Sequence, residues 1–195
     1  GFNISGLVID KNYENKILEL QQILDYELTF DKEVNFEEAS ENWKSDKYCD
    51  IYFSEKGTLI FLSFEKSGFE FPVLNQTTLA FVLSEMSMTF SINYTENQKL
   101  LRTIVETEES IHVDEGNPFP FEENERDKSE LIYHLFEKTL GKSFWDIDLD
   151  EKCYRYYFKE FHNTFKSQDE SVELISSKSL NESNIQAKKA WWRFW

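Results

Sequence analysis

Proline and glycine are scarce in this chain, with three and six copies among 195 residues. Most loops must therefore be built from Asn, Asp and Ser rather than from the usual turn formers. The glycines Gly57, Gly68, Gly116 and Gly141 stand singly. No glycine-rich phosphate loop or dinucleotide-binding turn can be written from them. Cysteine is scarcer still: Cys49 and Cys153 have no CxxC spacing, which argues against a disulfide framework. Two buried thiols in a reducing compartment are the expectation, and the cytoplasm the expected location.

Basic residues are in deficit, 21 against 37 acidic ones, for a net charge of −16. Such a surface repels a phosphate backbone and an anionic membrane, so nucleic acid is not an expected partner. No apolar run approaches the roughly 20 residues that span a bilayer, and the opening residues lack the basic and apolar regions of a signal peptide. Histidine occurs only at 112, 134 and 162. HExxH, His-x-His and Gly-x-Ser-x-Gly are all missing, and no cofactor is expected.

What the chain has is grease. Hydrophobic residues make up 40% and aromatics 16%, with 18 Phe. That is enough to bury a large core despite the charge. The length fits one large domain, read here as a single compact α+β domain over 1–178 followed by a Trp-rich helical tail over 179–195.

The periodicity predicts a strand over 2–9 and a helix over 13–25 on the stripe Ile17, Leu20 and Leu24. A half-buried strand follows over 28–36, then a short helix over 36–43. Two β-rich runs, 49–53 and 58–64, flank Ser54-Glu55-Lys56-Gly57 and read as a hairpin. Its second strand is apolar on both faces and should be central. Leu79, Val82, Leu83 and Met86 fit a helix capped by Asn75 or Thr77. A second hairpin is expected over 88–108, continued by 111–113, with a two-proline loop over 114–126. Asp127 and Gly141 bracket a further helix. Tyr154, Tyr157, Phe158, Phe161 and Phe165 predict another over 151–165, and 171–176 reads as an edge strand. The resulting fold class is α+β: an antiparallel or mixed sheet built from hairpins and covered by about four helices.

Few clusters could carry chemistry. Asp146, Asp148 and Asp150 alternate with Ile147 and Leu149, which in an extended segment places three carboxylates on one side, a weak cue for a hard cation. The EF-hand pattern fails there, because Glu151 and Tyr157 stand where Gly and Glu are needed. His112 and Asp114 would share a strand face, with Glu122 beyond the proline loop, so a His–carboxylate hydrolytic site is one alternative. Glu106, Glu108, Glu109, Asp114 and Glu115, with Glu122, Glu123 and Glu125, form the densest negative stretch, suited to steering a basic partner or to guarding a sheet edge. The tail reverses the charge with Lys188, Lys189 and Arg193, and its Trp191, Trp192 and Trp195 are typical interface anchors. By elimination, the expected role is a protein-binding module, of the acidic inhibitor or immunity type that masks a basic protein partner. A structural or assembly subunit using the Trp-rich tail is the further alternative.

Overall fold

Strand β1 (Asn3–Ile9) is buried at all seven positions. Its sequence explains why: Ile4 and Val8 face one side, Leu7 and Ile9 alternate toward the other, and Ser5 hydrogen-bonds the Leu62 carbonyl at 2.8 Å. Gly6 permits the closest approach. A Cβ there would lie 2.2 Å from the Ile60 carbonyl oxygen, so the neighbouring strand closes only on glycine.

Around this strand the remaining elements are α1 (Ile17–Leu24), β2 (Glu27–Asn35), α2 (Phe36–Ala39), β3 (Tyr48–Phe53), β4 (Thr58–Phe61), α3 (Phe64–Ser67), β5 (Thr77–Ser84), β6 (Thr89–Glu96), β7 (Lys99–Thr107), β8 (Ser110–Gly116), α4 (Lys128–Leu140) and β9 (Lys152–Lys159). These come from a computed structural model that describes residues 2–160, apart from 42, 109, 125 and 126. The chain divides into two units, Gly1–Glu160 and Phe161–Trp195. The expected strand over 171–176 and the Trp-rich tail belong to the second, outside the described residues.

The nine strands form one sheet in the order β2-β9-β3-β4-β1-β5-β6-β7-β8. Every pairing is antiparallel. This overturns the α+β reading, in which helices cover the sheet. Among the described residues the fold is mostly sheet, and the helices are short: α2 and α3 are single turns of four residues, and α4 alone reaches 13.

Two of the expected helices are strands. Residues 77–84 form β5, and the stretch expected to be helical from 151 onward forms β9. The physical reason is shared. Thr-Thr-Leu-Ala-Phe-Val-Leu-Ser is apolar or small at nearly every position, and Cys-Tyr-Arg-Tyr-Tyr-Phe is nearly all aromatic. A continuous run matches a 3.6-residue period as well as it matches any other, so β-branched and aromatic content decides. β5 is the more extreme case, with seven of its eight residues buried. It lies between β1 and β6, covered on both faces.

The core is split by the sheet. On one face, α4, α2 and Phe144 pack over Val8, Leu59, Phe61, Phe81, Leu83, Ile92, Tyr94 and Ile104. On the other, α1 brings Leu20 and Leu24 against Leu7, Ile9, Ile51, Ile60 and Leu62. Helix α4 begins where the Asp127 carboxylate accepts the Ser129 N–H at 2.9 Å, a cap worth about 1 kcal/mol. It ends at Gly141, in the left-handed conformation with φ 75°.

Candidate functional site

The acidic stretch lies at one edge of the sheet. β8 is the edge strand, and His112, Asp114 and Glu115 are exposed on it, while Glu108 is exposed in the turn that precedes it. Glu106 on β7 is half-buried, and Glu109 lies outside the described residues. Between 99 and 116 the basic residues are Lys99 and Arg102. Lys99 is exposed at the far end of β7, whereas Arg102 is 2% exposed. The Arg102 guanidinium donates two 2.9 Å hydrogen bonds to the Glu122 carboxylate. It donates further to Asp114 and to the Glu115 carbonyl. Glu122 also accepts the Phe119 N–H at 3.0 Å, which ties the proline loop to the sheet.

The structure thus brings two of the three expected catalytic groups together, on an arginine. Asp114 and Glu122 are both committed to Arg102, and burial of the Glu122 carboxyl is outweighed by that guanidinium, so it titrates below the usual glutamate range. His112 has a different partner. Its Nε2 meets the Thr107 hydroxyl. The register explains the separation: Val105 pairs with Val113 and Glu106 with Ile111, so His112 is the extra residue of a β-bulge. The simple alternation that would align His112 with Asp114 does not survive the bulge.

The three aspartates do not converge. Asp146 ends a 3-10 turn (Phe144–Asp146), and Asp148 and Asp150 follow in an irregular segment, all exposed. Ile147 is buried, but Leu149 is 56% exposed, so the expected two-sided alternation fails. Among the described residues, no three His, Cys, Asp or Glu side chains are grouped to hold a metal ion.

Two polar networks were not legible in advance. Asp50 is fully buried on β3 and takes Arg155 in a bidentate pair at 2.7 and 2.8 Å, with Lys44 Nζ at 2.9 Å. Arg155 also reaches Glu38 at 3.1 Å and lies 4.3 Å from the Tyr48 ring centroid. Two residues further along β3, the Tyr52 hydroxyl donates to Glu151 at 2.7 Å, and Lys142 Nζ donates to both. Burial, reinforced by the Glu151 carboxylate, pushes the Tyr52 phenol up to about 12. Both networks are closed on themselves and tie strands together.

The cysteines are buried and free, on opposite faces of the sheet: Cys49 packs with the α1 layer and Cys153 with the α4 layer. Burial beside the Asp50 carboxylate pushes both thiols up, Cys153 to about 12. Neither thiol has the electropositive setting of a nucleophile.

A groove of about 460 Å³ lies along α4, lined by Glu130, Tyr133, His134, Glu137, Lys138, Ser143 and Trp145. Trp145 is 60% exposed, although its ring packs against those of Tyr133, Phe144 and Phe2 at 4.9, 5.3 and 5.5 Å. Tyr133 is only 8% exposed, and its hydroxyl is buried with no hydrogen-bond partner among the described residues. Leaving that group unpaired costs about 1–3 kcal/mol. His134 stacks on Phe121 of the proline loop, centroids 3.8 Å apart. The groove and the acidic edge therefore flank the same loop. Sequence reasoning missed this groove because the apolar face of α4 is read from Leu131, Ile132, Leu135 and Phe136, and nothing in that spacing singles out Tyr133. The available signal was Trp145, a large aromatic set among aspartates.

Among the described residues, no helix is long and apolar enough to cross a membrane. No family model matches the chain, and neither a curated protein nor a solved structure matches it.

Proposed function

We propose that the chain is a protein-binding module of the inhibitor type, whose acidic face receives a basic protein partner. The observation that carries this reading is the burial of Arg102. The central cation of the β7–β8 ribbon is spent inside on Glu122 and Asp114, which leaves Glu108 and Glu115 exposed and Glu106 half-buried, with no Lys or Arg on β8 to offset them. Charge arranged this way steers a basic partner and sets its orientation more than it adds raw affinity. The net charge of −16 acts in the same direction at long range.

The test is a titration with a lysine- and arginine-rich decapeptide followed by calorimetry, at about 0.05 M and about 0.5 M salt. Because any acidic protein attracts such a peptide weakly, the informative comparison is between two variants of equal charge. E106Q/E108Q/E115Q should lose most of the salt-sensitive binding. E14Q/E27Q/E55Q, which removes three exposed carboxylates elsewhere, should keep it. Equal losses in the two variants would sink the reading.

A further inference from the structure

We propose that the groove between α4 and Trp145 is the anchor site for an arginine side chain of that basic partner; this rests on the reading above and assigns it a specific seat. The volume of about 460 Å³ exceeds what one side chain fills, and the lining supplies three things a guanidinium needs. Glu130 and Glu137, both exposed on α4, provide negative charge two helical turns apart. Trp145 provides the aromatic ring on which a planar cation stacks best. Tyr133 provides a hydroxyl oxygen that has no donor among the described residues. Tyr133 lines the groove beside Trp145, with the two ring centroids 4.9 Å apart.

The one cation in the lining does not fill the seat from within. Lys138 Nζ sits 5.4 Å from the ring centroids of Tyr94 and Phe119. The surroundings of Tyr133 favour an incoming positive charge as well. Burial is the main cause that keeps its phenol protonated, and the carboxylates of Glu85, Glu130 and Asp127 add to it. Arginine and tryptophan are also the residue types that most often dominate protein interfaces.

The experiment uses the full chain and three decapeptides: one lysine-rich with a central arginine, the same peptide with citrulline in its place, and a neutral glutamine version. Trp145 is followed through its indole N–H signal, assigned by its loss in W145F, and affinity is read by calorimetry. The arginine peptide should move that signal. Citrulline, W145A and E130Q/E137Q should each weaken binding about ten-fold, the loss of one well-packed anchor. Circular dichroism melts confirm that the variants fold. If the arginine peptide binds W145A and the wild type equally and leaves the indole signal in place, the seat is wrong. In that case a loss confined to E106Q/E108Q/E115Q would still support the acidic-edge reading. If neither variant set responds, or if the neutral peptide binds as well as the basic one, both fall.

Discussion

Arg155 meets Asp50 across the β3–β9 pair through two parallel hydrogen bonds that join positions 105 residues apart. Asp50 has no solvent exposure and is shared with Lys44. Asp50→Asn would leave two cations around a neutral amide. The expected loss is about 3–5 kcal/mol, the cost of stranding buried charge, read as a lower urea midpoint. On the neighbouring β2–β9 pair, Glu33 meets Lys152 in the open, and Glu33→Gln should leave the midpoint where it was.

That pair shows where sequence reasoning stopped. The hairpin around Gly57, the caps at Asp127 and Gly141, and the short turn at Phe36–Ala39 are local features, and local chemistry announces them. Asp50 sits in a run that reads as strand, but nothing nearby names its partner. Arg155 lies in an aromatic stretch whose period is ambiguous, and reading it as helix hid the pairing altogether. The same limit applied to the acidic edge. Its carboxylates are visible as a list, while the burial of Arg102, which decides which of them remain available, depends on a loop returning from Glu122. The α4 groove was hidden for a third reason: its walls come from α4 and from Trp145 in the segment that follows it, and no local spacing joins the two.

The unpaired hydroxyl gives a prediction of unusual sign. Tyr133→Phe removes a buried group that gains nothing in the free protein, so it should raise stability by about 1 kcal/mol. Tyr52→Phe is the control. Its hydroxyl is bonded to Glu151 and Lys142, and its removal should lower stability by about 1–3 kcal/mol. Urea titrations of the two variants side by side check both.

Acid should unfold the protein through two particular glutamates. Burial alone would raise Glu122 and Glu151, but ion pairing and hydrogen bonds from Arg102 and Phe119, and from Lys142 and Tyr52, outweigh it and hold both below the usual 4.5. A depressed folded value means that their contribution is complete above about pH 4.5 and is lost as the pH falls through the folded value. The urea midpoint should therefore drop steeply below pH 4.5. E122Q/E151Q should be less stable at pH 7 and show a shallower decline in acid.

Neither thiol should react in the folded state. Cys49 and Cys153 are buried, and their thiolates are disfavoured. An aromatic disulfide reagent at pH 8 should release no colour from the native protein and two equivalents once denaturant is added. Rapid labelling of either cysteine in native buffer would contradict the packing of β3 and β9.

β9 lies between β2 and β3, two strands that are neighbours in sequence but not in space. A chain emerging from the ribosome therefore cannot seat β2 in the sheet until residues 152–159 have been made. Until then, β3 exposes the Asp50 side and β2 has no partner. The block β3-β4-β1-β5-β6-β7-β8 can pair earlier, but the sheet is completed only when nearly the whole unit has been made, and a nascent chain stalled short of Lys152 leaves β2 detached.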